Sequence, residues 1–173
     1  GAWWETNPER ALANNSVAYT EKPDAGIFMK EWLALYESKS GERGIFNRQS
    51  AQAKARENGR RNGDWDFGTN PCSEIILRPN QFCNLSEVVV RATDTLDDLK
   101  HKVKIASIIG SLQATLTDFR YLRNVWRRNT EEEALLGVSL TGIMDHPILG
   151  SGESEQLSSW LEEMKNVSIE VNK

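Results

Sequence analysis

An α/β protein with a parallel sheet is predicted by three observations on this sequence. Runs of β-forming residues alternate with helical patterns, in the order strand, helix, strand, finger-like loop, strand, long helix, strand, helix. One segment, roughly residues 96–118, keeps an apolar stripe at helical spacing behind a capping signal. No internal repeat and no linker divides the chain, so residues 1–173 read as a single domain. With no Met before Gly1 and no terminating signal at Lys173, that domain is expected to be part of a longer protein.

The elements follow from local signals. Residues 1–15 carry Trp3, Trp4 and Pro8 ahead of a polar stretch ending in Asn14-Asn15. Ser16-Val17-Ala18-Tyr19 reads as a short strand before the turn at Lys22-Pro23-Asp24. Asp24 then caps a helix in which Phe28, Trp32, Leu35 and Tyr36 recur at helical spacing, and Gly41 and Gly44 mark its end. Gly44 to Asn47 reads as a short buried strand. Residues 48–64 are polar and basic (Arg48, Lys54, Arg56, Arg60, Arg61), with Asn-Gly pairs at 58–59 and 62–63, and read as a solvated loop holding one helical turn. Beyond residues 70–74, Ile75-Ile76-Leu77 is a strand, Pro79-Asn80 a turn, and Phe82 to Val90 a second extended run. Thr95-Leu96-Asp97-Asp98 resembles a capping box with Asp in place of Glu. It opens the long helix, whose stripe is Leu96, Leu99, Val103, Ala106, Ile109 and Leu116. A further helix runs through Arg120–Trp126 and breaks near Asn129. Leu135 to Thr141, dense in Leu and Val between glycines, reads as a buried strand. Ser154 caps a last helix carrying Leu157, Trp160, Leu161 and Met164. The Trp side chains are expected to fill core or cover sheet faces.

Composition narrows the function classes. A hydrophobic fraction of 39% and a charged fraction of 27% suit a soluble domain with a real core. A net charge of −4 and a pI near 5.3 lack the basic face of a dedicated nucleic-acid binder. No apolar run reaches the length of a membrane span and no signal-peptide pattern opens the chain, so the expected location is cytoplasmic. Two cysteines allow a disulfide, half of a metal site, or reduced thiols. A structural disulfide suits a cytosolic chain poorly. Cys72-x10-Cys83, with only His101 and His146 elsewhere, fits no common zinc pattern, so no metal is expected. Reduced, reactive thiols lead.

The chemistry-bearing segment is Asn70-Pro71-Cys72-Ser73-Glu74. An amide, a thiol and a carboxylate stand at i, i+2 and i+4, which in an extended segment places all three on one side. Pro71 disfavours the α region for Asn70, and Gly68 allows the sharp approach of a protruding loop. Taken alone, Cys72 would be a buried inert thiol, Glu74 a solvated carboxylate and Asn70 a turn residue. Their phase relative to one another points to a catalytic thiol instead. For Cys83 the residues alone suggest a core thiol beside Phe82 and Leu85.

Gly68 to Ile75 followed by Cys83-Asn84-Leu85-Ser86-Glu87-Val88 resembles the active-site finger loop and following strand of ribonucleotide reductase catalytic subunits. The likeness is greatest to the monomeric, adenosylcobalamin-dependent class II enzymes. Ala13 to Val17, Gly41 to Asn47 and Leu136 to Ile143 agree in the same order, so the resemblance runs from about residue 8 to 149. It implies a central part of a ten-stranded α/β barrel, with a finger loop carrying a radical cysteine. It implies reduction of ribonucleotides, by subfamily preference the triphosphates, to 2′-deoxyribonucleotides, a step serving DNA replication. Cys72 would carry the thiyl radical that removes the 3′ hydrogen of the substrate. Glu74 would accept the 3′-hydroxyl proton, and Asn70 would orient the ribose. Cys83 would be one of two thiols that end as a disulfide. Ser16 and Asn15, with Asn14, would line the substrate site next to the loop, and capping and turn duty is the equally good alternative account of these residues. The implied cofactor is adenosylcobalamin, bound mostly by segments outside this chain. The implied partners are the ribonucleotide, a thioredoxin-like reductant and the remaining segments of an allosteric enzyme.

The sequence also departs from that pattern. It contains no third cysteine to pair with Cys83, and no C-terminal cysteine pair. Position 73 is Ser where relatives often have Gly. The chain is therefore expected to be inactive alone. The competing reading is a non-catalytic module that keeps the fold segment and binds or scaffolds a partner. His101 and His146 have no neighbours that suggest catalysis.

Overall fold

The computed structural model describes residues 3–9, 15–39, 43–57, 59, 61–152 and 154–173. Gly1, Ala13, Asn14, Gly41, Asn58 and Arg60, named above, lie outside them. The chain forms two compact units, Gly1–Pro79 and Asn80–Lys173.

In the first unit a short helix α1 (Trp3–Thr6) precedes strand β1 (Ser16–Tyr19). Helix α2 (Ala25–Ser38) starts where expected. The Asp24 Oδ1 accepts from the backbone N–H groups of Gly26 (2.8 Å) and Ile27 (3.3 Å), satisfying donors that have no intrahelical partner. It leads to strand β2 (Gly44–Asn47), which pairs parallel with β1 from Ser16–Gly44 to Tyr19–Asn47. Two expectations need correction. The α2 stripe is only partly covered, because Ala34 is buried while Trp32 and Tyr36 are 52% and 75% exposed. Strand β2 alternates between half-buried and exposed positions instead of being buried throughout.

A larger correction falls on residues 48–57. They form a ten-residue helix, α3 (Arg48–Glu57), in place of a loop with one turn. Arg, Gln, Lys and Ala all have high helix propensity. The buried face consists only of Ala51 and Ala55, one turn apart. An alanine face carries little hydrophobicity, so the charge around it obscured the period.

The second unit is built on strands β5 (Asn84–Val89) and β6 (Leu136–Thr141), parallel over six residue pairs. Helix α4 (Leu96–Ala114) follows β5. Its capping box forms as expected: Thr95 Oγ1 accepts from the Asp98 N–H (3.2 Å), and Asp98 Oδ2 accepts from the Thr95 N–H (2.9 Å). The helix ends at Ala114, earlier than residue 118. Its buried face is Leu99, Val103, Ala106, Ser107 and Gly110, whereas Ile109 and Leu116 stand 57% and 71% exposed. Gly110 explains the choice of face, since a Cβ there would overlap the Leu136 Cδ1 methyl. The helix lies directly on β6.

Helix α5 covers Asn124–Glu133, so the expected helix through 120–126 is displaced towards the C-terminus and passes through Asn129 without a break. Asn129 and Thr130 are buried because the preceding segment uses them. Gln81 Nε2 donates to the Asn129 carbonyl (3.0 Å), and the Phe82 N–H donates to Thr130 Oγ1 (3.2 Å). Ser154 Oγ accepts from the Leu157 N–H (3.0 Å) and starts helix α6 (Glu155–Val171) as predicted. The core joins Val88, Val90, Leu99, Val103, Ala106, Leu149 and Met164, with Trp160 and Leu157 packed against it. His146 is buried and structural. Its Nδ1 accepts from the N–H groups of Ile148 (3.1 Å) and Leu149 (3.2 Å), so Nε2 carries the hydrogen and donates to the Asp94 carbonyl (2.9 Å).

The α/β class thus holds: both strand pairs with a helix between their strands are parallel. The described strands form three two-stranded sheets and no closed barrel. No described helix is long and apolar enough to cross a membrane.

Candidate functional site

The Cys72 segment is the tip of a hairpin in the first unit. Strands β3 (Gly68–Thr69) and β4 (Ile76–Leu77) pair antiparallel, Gly68 with Leu77 and Thr69 with Ile76. Residues 70–73 close a β-turn, with the Ser73 N–H donating to the Asn70 carbonyl (3.0 Å). Pro71 sits at the second turn position, where its fixed φ favours the bend. Asn70 makes two further bonds. Its N–H donates to the Ile75 carbonyl (3.2 Å), and its side-chain Oδ1 accepts from the Ile75 N–H (3.0 Å). The expected finger-like loop is thus a short hairpin whose tip is a turn instead of an extended run. In a turn the two-residue alternation does not operate, so spacing alone does not place Asn70, Cys72 and Glu74 on one side. Local amide-to-backbone bonding outweighed the extended preference.

Ser73 completes the turn at a φ of +66°, in the left-handed region that favours glycine. Its hydroxyl lies 3.4 Å from Thr69 Oγ1. Pro71, Cys72, Ser73 and Glu74 are exposed, and Asn70 is half-buried. Cys72 is a free thiol. With Oδ1 tied to Ile75, the Asn70 amide retains its Nδ2 donors for a ligand.

A cleft of about 280 Å³ lies beside the hairpin root, lined by Ser16, Ala18, Phe46, Arg48, Thr69 and Asn70 among others. Two predicted substrate residues, Ser16 and Asn70, thus share one cleft. Asn15 has a structural task, its carbonyl accepting from the Gly44 N–H (2.8 Å) at the start of the β1–β2 pair.

The root also rests on residues that sequence reading passed over. Phe67 is fully buried. Arg48 Nε donates to the Phe67 carbonyl (2.6 Å), and its Nη1 pairs with Asp66 (2.7 Å). Arg61 Nη1 donates to the Ile76 carbonyl (2.9 Å), and its guanidinium lies 5.1 Å from the Phe67 ring centre. The Arg78 guanidinium stacks 4.7 Å from the ring centre of Trp65. The alternation Trp65-x-Phe67 ahead of Gly68 was the available signal. Arg56 bonds the Gly63 carbonyl (3.0 Å) and Asp64 (2.7 Å), so within the basic stretch both Arg56 and Arg61 hold local backbone.

Cys83 belongs to the second unit, where it is half-buried just before β5. It lines a mostly apolar pocket of about 550 Å³ with Phe82, Leu116, Phe119 and Tyr121. The Phe82 ring packs between Phe119 (5.1 Å) and Trp126 (4.8 Å). Among the described residues no group of three His, Cys, Asp or Glu is placed to hold a metal ion.

Comparison with known proteins gives one informative match. The chain is 34% identical over 143 residues to an adenosylcobalamin-dependent ribonucleoside-triphosphate reductase of Lacticaseibacillus paracasei. That alignment covers 79% of this chain and 18% of the reductase, so the chain spans under a fifth of that relative's length. No protein-family profile matches the chain, and no solved structure matches it. By sequence, then, this chain is similar to one segment of an adenosylcobalamin-dependent ribonucleoside-triphosphate reductase.

Proposed function

We propose that the chain supplies the radical-bearing finger of a ribonucleotide reductase that converts ribonucleoside triphosphates to 2′-deoxyribonucleotides. The observation that carries this reading is a hairpin tip that exposes a free thiol and a carboxylate two residues apart, beside a cleft shared by Asn70 and Ser16. In this reading both units belong to one catalytic α/β barrel, completed by other segments.

The donor set fits a thiol-radical cofactor in one respect: Cys72 stands exposed on a narrow tip that can enter a closed site. Adenosylcobalamin, when bound, supplies the one-electron chemistry that oxidises the Cys72 thiol. The corrin would be held mostly by residues outside this chain.

From there the chain's own residues act. The Cys72 sulfur radical takes the 3′ hydrogen atom of the ribose, so that a C–H bond breaks and the S–H bond forms. Glu74 accepts the proton of the 3′ hydroxyl as a general base. The 2′ hydroxyl leaves as water, protonated by a thiol. Cys83 and a second thiol from another segment then deliver two electrons and end as a disulfide, and the hydrogen atom held by Cys72 returns to C3′, so that the S–H bond breaks, the C–H bond re-forms and the sulfur radical is restored. The Asn70 Nδ2 donates to the ribose while its Oδ1 keeps the turn closed. Water is excluded once the finger is enclosed, which protects the radical. A thioredoxin-like protein would return the disulfide to thiols.

The test is Cys72→Ser in an assembled reductase carrying this segment. Nucleotide reduction is expected to disappear, together with cofactor-dependent hydrogen exchange. Retained reduction would sink the radical assignment.

A further inference from the structure

We infer that Arg48 and Arg61 are positioning residues that clamp the root of the finger hairpin and so fix where the Cys72 turn stands. The inference rests on the reading of Cys72 as the reacting thiol.

The ladder between β3 and β4 has only two residue pairs. So short a hairpin is not stable by itself and needs external ties. The two arginines supply one to each arm. Arg48, the first residue of α3, donates from Nε to the Phe67 carbonyl immediately before β3. Arg61, in the turn region after α3, donates from Nη1 to the Ile76 carbonyl on β4. Both converge on the fully buried Phe67, since Arg61 also lies over its ring. Charged donors make stronger hydrogen bonds than neutral ones, and a guanidinium can serve two acceptors at once. Arg48 does so, holding the Phe67 carbonyl and the Asp66 carboxylate with different nitrogens.

The clamp matters because hydrogen-atom transfer tolerates little misplacement. A displacement of about 1 Å at a reacting group can cost on the order of a hundredfold in rate. Residues 71–74 of the tip are exposed and bond within the turn itself, so the position of the turn is set at the root.

Amide hydrogen exchange on the 173-residue chain tests this directly. The reporters are the tip amides of Asn70, Ser73 and Ile75, each of which donates within the turn. Arg48→Met and Arg61→Met are each expected to speed their exchange about tenfold, with the α2 and α4 amides unchanged. Arg48→Lys retains one donor for the Phe67 carbonyl and is expected to rescue part of the loss. Unchanged tip exchange in both Met variants would overturn the clamp. So would a rise spread equally over β1, β2 and α2, which would make the arginines general stabilisers. The readout involves no nucleotide chemistry, so its failure is distinguishable from failure of the radical assignment.

Discussion

Replacing Ser73 by Gly should tighten the finger tip, although it removes a side chain. Ser73 occupies the left-handed region at a φ of +66°, which costs a non-glycine residue roughly 1–2 kcal/mol. Glycine removes that strain and adds roughly 0.5–1 kcal/mol of unfolded-state entropy cost. The serine hydroxyl makes an exposed contact to Thr69 at 3.4 Å, worth at most about 0.5 kcal/mol. The backbone bond from Ser73 to the Asn70 carbonyl survives the change. The balance favours the closed turn by about 0.5 kcal/mol, or roughly two- to threefold slower opening. Exchange of the Ile75 amide, which donates to Asn70 Oδ1, reads that opening. Ser73→Val should act oppositely, because a β-branched residue is strained at this φ. A glycine variant that exchanges faster than the parent at Ile75, or a valine variant that does not, would refute the reasoning. The position is also one where the resemblance leads one to expect glycine, and the turn geometry supplies the reason.

Two further predictions concern the second unit. Gly142 has a φ of +77°, and a Cβ there would stand 2.7 Å from the Val90 carbonyl oxygen. Backbone strain and overlap together should make Gly142→Ala cost about 2–4 kcal/mol in urea unfolding, and a loss below about 1 kcal/mol would contradict it. Acid should also weaken this unit. The Lys102 ammonium bonded to Asp94, followed by the Arg91 N–H, holds the Asp94 carboxyl below its ordinary value, and the capping-box bonds from Thr95 do the same for Asp98. Because the folded-state values lie below the unfolded ones, the unfolded chain binds more protons. Stability is therefore full above the ordinary carboxylate range and is lost as pH falls through the folded values. Unfolding midpoints measured from about pH 6 to pH 3 should fall, less steeply in Lys102→Met; a flat profile in the parent chain would count against this.

What could be read from the sequence is what residues settle within a few positions of themselves. Asp24, Thr95 with Asp98, and Ser154 each start a helix where expected, because a cap is satisfied by backbone donors two or three residues away. The parallel pairing of β1 with β2 and of β5 with β6 followed from helices lying between strands. The finger was legible as a protruding loop, and the match to a reductase agrees with the family that its residues suggested.

Tertiary structure decided the rest. Ala51 and Ala55 define the buried face of α3 only because that face has something to lie against. Asn129 is buried within α5, where Gln81 binds its carbonyl from 48 residues away. His146 became a core residue through a carbonyl 52 residues earlier. At the finger, the same Asn-Pro-Cys spacing allows an extended run or a turn. The side-chain amide bond of Asn70 to Ile75, and the hold of Arg48 and Arg61 on the two arms, go with the turn seen in the structure. Periodicity records which side a residue would face if its element were regular. It carries no information about partners supplied by distant chain, and those partners set the burial of α3, the course of α5 and the shape of the Cys72 tip.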